Sequence, residues 1–408
     1  MAKTVAIIAA LDTKGEEAAY VRDAIARHGH DTLMIDVGIL ADPRTAADIG
    51  AADVARAGGD DLHALRESGD KGRAMATMTR GAAVIARELH AAGRIAGIIG
   101  LGGTAGTTTG TSAMRALPVG FPKVMISTVA ASDTRQYVGD KDITMMPSIV
   151  DVAGINGISA RIFTNAAGAI SGMVAAEPPT LAARPLIAAS MFGNTTTLVD
   201  AGRKIMEDAG YEVLVFHATG AGGRAMESLV ADGYIAGVYD VTTTEWADEL
   251  AGGVFAAGPT RLEAAARAGV PQVVAPGCLD MANFDGPDTV PGKYAGRRFY
   301  HWNPSVTLMR TTPEENAQLG RILAEKVNLS TAPVTVFLPL QGVSQLDSPG
   351  GEFWWPEADA ALYDAIRQNV RPGIEVMELD CNVNDPQFAE ATARRLLEYV
   401  GAATNRKD

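Results

Sequence analysis

The stretch Thr4-Val5-Ala6-Ile7-Ile8-Ala9-Ala10-Leu11-Asp12-Thr13-Lys14-Gly15 decides the fold. From Val5 to Ala10 it is apolar without a break, the pattern of a parallel strand covered on both faces. Leu11 to Gly15 reads as the turn out of that strand. Glu16 to His28 then carries a helical period, with Ala19, Val21, Ala24 and Ile25 on one side, and Gly29 stops it. Thr32-Leu33-Met34-Ile35-Asp36-Val37 is a second strand, which completes one βαβ unit. Sliding this unit by 181 positions lays Ala6 on Ile187, Gly29 on Gly210 and Asp36 on His217 without a gap. The reading is therefore an α/β protein with two Rossmann-like parallel-sheet domains facing each other across a cleft. The first spans residues 1–178, with a polar inserted lobe at about 40–72. The second spans residues 184–408, after a linker at Glu177-Pro178-Pro179.

Further strands are expected at Ile95–Ile99, Lys123–Ser127, Ile235–Tyr239, Gln272–Ala275, Val334–Leu338 and Ile374–Leu379. Asn283 to Trp302 and Pro339 to Pro356 read as long loops. A helix from Pro313 has Thr312, Glu314 and Glu315 at its start, residues that suit an N-terminus.

With 408 residues, 47% hydrophobic and 20% charged, the chain is long enough for two cores. A net charge of −13 and 6% aromatics argue against nucleic acid or an anionic membrane as partner. Met1-Ala2-Lys3 runs straight into a strand, and no apolar run reaches a membrane span, so the expected setting is the cytoplasm. The two cysteines, Cys278 and Cys381, form no disulfide framework, and no His/Cys/Asp spacing reads as a zinc site.

In open parallel sheets, ligands bind beyond the carboxyl ends of strands. One such loop is Gly100-Leu101-Gly102-Gly103-Thr104-Ala105-Gly106-Thr107-Thr108-Thr109-Gly110-Thr111. A glycine-rich turn into a helix exposes amides where the helix dipole favours an anion. Gly102, Gly103, Thr104, Gly106 and Thr107 are the candidate phosphate holders, weighed against an ordinary tight turn. A P-loop is absent; Lys14 is the nearest substitute, beside Thr13 and Asp12, and Asp12 is placed to hold a metal ion. The alternative there is a helix cap with a surface lysine. Gly220-x-Gly222-x-x-Ala225, with Gly223 and Arg224, repeats the punctuation of Gly102 and adds a second candidate cradle.

The second half offers chemistry. His217 ends a strand and is a candidate base, Glu245 its carboxylate partner, and Cys278 or Ser344 a nucleophile, with the Gly222 and Gly223 amides as an oxyanion hole. Against this stand a structural histidine, a helix-start glutamate and a packed thiol. Such an enzyme would hydrolyse a small oxo acid or cleave its carbon–carbon bond. A regulatory binding module without turnover is the third reading.

Taken together, several strings resemble one family. They are Leu11-Asp12-Thr13-Lys14-Gly15-Glu16, Gly102-Gly103-Thr104, Asp142-Ile143-Thr144-Met145-Met146, Phe216-His217-Ala218-Thr219-Gly220-Ala221-Gly222-Gly223-Arg224-Ala225-Met226-Glu227, Ala275-Pro276-Gly277-Cys278-Leu279-Asp280 and Gly342-Val343-Ser344. The family is that of the ATP-binding amino-terminal domain of the tomato mosaic virus resistance protein. The resemblance covers nearly the whole chain. It implies a two-domain α/β protein that binds ATP and forms a homodimer, and Mg²⁺ can accompany the nucleotide because it needs few protein ligands. The expected partner is thus a nucleotide or another small anionic metabolite.

Overall fold

The computed structural model describes residues 2–177 and 184–404, so the expected linker falls largely outside the described residues. The chain divides into two compact units, Met1–Thr180 and Leu181–Asp408.

The first unit runs β1 (Thr4–Ala9), α1 (Leu11–Arg27), β2 (Asp31–Asp36), α2 (Ala51–Ala57), α3 (Leu62–Ser68), α4 (Lys71–Ala91), β3 (Gly97–Gly102), α5 (Thr104–Arg115), β4 (Lys123–Ser127), α6 (Arg135–Val138), β5 (Thr144–Pro147) and α7 (Gly157–Ala175). Its sheet is fully parallel, in the order β2-β1-β3-β4-β5. Alternation along β1 shows why the run is apolar throughout. Ala6 and Ile8 face the α2, α3, α4 and α5 layer, whereas Val5, Ile7 and Ala9 face α1 and α7. Both faces are covered, as a parallel sheet requires. The 40–72 segment departs from the expected polar lobe. It folds into α2 and α3, whose Val54, Ala55 and Leu65 are buried in the core over the sheet.

The second unit runs β6 (Leu186–Met191), α8 (Thr196–Asp208), β7 (Glu212–His217), α9 (Ala221–Ala231), β8 (Ile235–Thr242), α10 (Glu245–Ala251), α11 (Ala264–Ala268), β9 (Gln272–Gly277), β10 (Met281–Phe284), β11 (Phe299–Asn303), β12 (Val306–Arg310), α12 (Pro313–Asn328), β13 (Val334–Pro339), α13 (Pro356–Asn369), β14 (Glu375–Leu379) and α14 (Pro386–Thr404). Six strands form a parallel sheet in the order β14-β13-β9-β8-β6-β7. The stretch read as a long loop, Asn283 to Trp302, instead takes part in a small antiparallel sheet, β10-β12-β11. Thr312 caps α12 and Glu315 reaches back to the Thr312 amide, a full capping box. Among the described residues no helix is long and apolar enough to cross a membrane.

Candidate functional site

In the first unit the chain steps from β1 to one side for β2, then back past it for β3. Loops at the carboxyl ends of β1 and β3 part at such a switch point and leave a crevice. A cavity of about 450 Å³ lies there. Its walls bring together Asp12, Thr13 and Lys14, which form the first turn of α1 where a turn was expected, with Gly102 at the end of β3 and Gly103, Thr104, Ala105 and Gly106 at the start of α5. Two stretches separated by nearly ninety residues, each singled out from sequence, thus share one site.

Gly103 is the N-cap of α5 and has no side chain to satisfy the first turn. The amides of Thr104, Ala105 and Gly106 therefore lack intrahelical acceptors and border the cavity. Thr107 is turned elsewhere: its Oγ1 donates to the Gly103 carbonyl (2.8 Å) and meets Ser127 Oγ at 2.7 Å, both inside the protein. Asp12 does not present itself to a metal. Its Oδ2 accepts the Leu40 and Ala41 amides at 2.8 and 3.2 Å, and its Oδ1 is shut off from solvent against Gly38. The carboxylate braces the loop that follows β2. Lys14 Nζ donates to the Val152 carbonyl, so its charge is engaged at the rim.

Further lining comes from residues that carry no motif. Val37, Ile39 and Leu40 come from the loop after β2, and Lys71 and Met75 from the start of α4. The rule that ligands gather at strand carboxyl ends pointed to the first three, while nothing local in the sequence pointed to Lys71. Lys71 is exposed and makes no ion pair or side-chain hydrogen bond among the described residues.

The second unit treats its switch point differently. Phe192 to Thr195 follow β6, Thr242 ends β8 and Thr243 to Glu245 follow it, and all of these except Gly193 are buried. Thr195 and Thr242 share a hydroxyl contact of 2.8 Å there. Gly220 to Ala225 follows β7 at the sheet edge, so it is not the counterpart of the loop after β3 that the shared punctuation suggested. Gly220 and Gly223 donate to Glu245 Oε1 at 2.8 and 3.1 Å, so Gly223, one of the two expected oxyanion donors, is already engaged. Glu245 is itself buried, with Oε2 bonded to Arg261 Nε at 2.5 Å, and does not orient His217. His217 is exposed, its ring edge-on to Phe192 at 5.7 Å, with no carboxylate partner among the described residues. Arg224 donates to the Ala256 carbonyl at 3.2 Å.

Neither proposed nucleophile is placed to react. Ser344 Oγ donates to Asp280 Oδ2 (2.8 Å) and accepts the Leu346 and Asp347 amides, so its hydroxyl serves the loop after β13. Cys278 is fully buried, and burial, reinforced by Asp280, pushes its thiol well above the ordinary range. Reactive cysteines need access and thiolate. A disulfide reagent on the native chain is expected to modify neither Cys278 nor Cys381, which is also buried, and to modify both after denaturation. Rapid reaction of one thiol in the native protein would overturn this assignment.

Behind Ser344 lies an acid cluster. Arg310 Nη2 reaches Asp359 Oδ1 at 2.7 Å and Asp347 Oδ1 at 3.4 Å, and Asp280 completes a set of three buried carboxyls around one guanidinium. Burial, then repulsion from Asp347, pushes Asp280 up to about 7 and Asp359 to about 8. Asp359 Oδ2 is buried without a hydrogen-bond partner, while Oδ1 accepts from Arg310. A raised folded pKa means the folded state keeps a proton that the unfolded chain, at 3.8, has released. Stability from these groups is therefore full below the unfolded value and falls as pH rises towards the folded values. Melting of the second unit is expected at lower temperature at about pH 9, above both folded values, than at about pH 6, where the folded state still holds both protons. Asp359→Asn removes the titrating group, keeps an acceptor for Arg310, and should flatten the dependence. An unchanged slope in the variant would exclude Asp359 as its source.

Fold and cavity together define the class: a two-unit, doubly wound α/β protein whose first unit is open at its switch point and whose second is filled. The chain belongs to the UPF0261 family. Residues 3–179 match "Uncharacterised protein family (UPF0261) N-terminal domain" and residues 184–400 match its C-terminal domain. A UPF0261 protein of Clostridium tetani is 49% identical over 402 residues, 98% of this chain and 100% of that one. One from Mesorhizobium japonicum is 45% identical over 96% of this chain and 98% of its own. The tomato (Solanum lycopersicum) ToMV resistance protein Tm-1 is 41% identical over 336 residues, 80% of this chain but 45% of its own length.

Proposed function

We propose that the cavity of the first unit binds ATP or a closely similar nucleotide. One observation carries the reading: the first turn of α1 and the amide-bearing start of α5 line the same cavity at the switch point. Phosphate oxygens would accept from the Thr104, Ala105 and Gly106 amides, with Lys71, which has no ion pair among the described residues, alongside. The residues suit the phosphates better than a directly held metal, since Asp12 has its carboxylate committed to the loop after β2. Any Mg²⁺ would then travel with the nucleotide. Binding without turnover is the simpler reading, because Glu245, Cys278 and Ser344 are all occupied by packing and hydrogen bonds.

Calorimetric titration of the full chain with ATP and Mg²⁺ tests this. Saturable binding is expected, and it should weaken in Gly103→Asp. Absence of binding, or equal affinity in wild type and variant, overturns the reading.

A further inference from the structure

Polar groups make up only part of this cavity. Val37, Ile39, Leu40, Met75 and Leu101 supply side chains as apolar as any in the core. Leu40 is the odd member. It lines the cavity and yet is 71% exposed. An exposed leucine alone means little, but this one is held in place from two directions. Its amide and that of Ala41 donate to Asp12 Oδ2, while Arg66 donates to the Ile39 and Ala41 carbonyls at 3.1 and 2.7 Å. Buried Asp36 secures the same loop one step earlier by accepting the Leu11 and Gly38 amides at 2.9 and 2.8 Å. Two carboxylates and an arginine thus fix the backbone that carries an apolar side chain at the mouth of a site whose other wall is the first turn of α5.

We infer that the site takes an anion joined to a flat apolar group, and that Leu40 is a specificity-determining residue for the apolar part. The anion rests on the Thr104–Gly106 amides beside Lys71, and the apolar group lies between Leu40, Ile39 and Met75. This rests on the anion-binding reading of α5 and adds the ligand class: an inorganic polyphosphate or a sugar phosphate offers nothing to cover Leu40, whereas an aromatic anion does. Lost contact at Leu40 falls on one part of the ligand only.

The test uses 8-anilino-1-naphthalenesulfonate, an aromatic sulfonate with both features, and inorganic tripolyphosphate, which has the charge alone. Leu40 is exposed, so Leu40→Ser leaves the core untouched. In the full chain this variant should bind the aromatic sulfonate about tenfold more weakly and tripolyphosphate as wild type does. Gly103→Asp should weaken both probes, which assigns them to this cavity. Equal affinity of wild type and Leu40→Ser for the aromatic sulfonate, or no binding of it by wild type, overturns the inference. Displacement by ATP separates the two proposals. If the sulfonate depends on Leu40 and Gly103 but ATP fails to displace it, the nucleotide reading falls and the aromatic-anion class stands.

Discussion

Replacing Arg261 with methionine is expected to destabilise the second unit by about 3–5 kcal/mol, the cost of leaving buried carboxylates without their counter-charge. Arg261 is buried. Its Nε meets Glu245 Oε2 at 2.5 Å, its Nη2 meets Asp240 Oδ1 at 2.7 Å, and its Nη1 reaches both Asp240 and Glu227. Burial opposes its charge, and Asp240 and Glu245 outweigh that opposition to hold the guanidinium firmly protonated. Methionine fills similar space but leaves Asp240 and Glu245 facing each other, both 1% exposed. The damage should spread through hydrogen bonds, because Glu245 also holds the Gly220 and Gly223 amides and Glu227 holds those of Leu262 and Ala264. Hydrogen exchange on the full chain reads this directly. Faster exchange is expected across Phe216–Arg224 and Arg261–Ala264, with no change at β1 to β3. Arg261→Lys keeps the charge but loses the planar fork, and should fall in between. Unchanged protection in the methionine variant would mean that the network carries no net stability.

That network also shows how far the sequence could be read. The βαβ repeat was legible to within a residue: β2 and β7 lie 181 positions apart and β1 and β6 lie 182 apart, and Gly29 and Gly210 both stop a helix with positive φ, +82° and +94°. Apolar runs report a strand covered on both faces, and that signal is local. The meaning of the glycines was not local. A Cβ on Gly222 would sit 1.9 Å from the His217 carbonyl oxygen, and one on Gly223 would sit 2.3 Å from Glu245 Oε2. Glycine there records that something comes close, and in this case the visitor is the protein's own carboxylate. Around Gly103 the nearest atom to such a Cβ is Thr128 Oγ1 at 3.8 Å, so the same punctuation borders open space. One sequence cannot tell these cases apart, because the deciding neighbour comes from another strand. The burial of Ser344 was hidden for the same reason, as was Lys71, which the packing of α4 brings to the cavity, whereas the packed thiol weighed for Cys278 is what its burial shows. Asymmetry between the units follows: one fold appears twice, with its switch point filled by Thr195 and Thr242 in one copy and left open in the other.

Gly103→Asp turns that open space into a measurement. Gly103 has φ −76° and ψ −162°, a conformation open to any residue, and it stands at the N-cap of α5. Aspartate is among the preferred N-caps, because its carboxylate accepts the amides two and three residues on, here Ala105 and Gly106. The variant should therefore fold as well as wild type or slightly better, with a thermal midpoint unchanged or raised. Its new carboxylate would occupy the amides offered to the ligand and repel an incoming anion. One unit charge at 4 Å costs about 4 kcal/mol near a protein surface, so a loss of ATP affinity of about 100-fold or more is expected. Gly103→Ser provides the control: a neutral cap competes for the same amides without the repulsion and should weaken binding far less. Higher salt should recover part of the aspartate variant's loss and little of the serine variant's. Preserved stability with lost binding is a combination that misfolding cannot produce. If the aspartate variant binds ATP as wild type does, the anion does not sit on α5, and the nucleotide must be sought away from the Gly102–Gly106 wall.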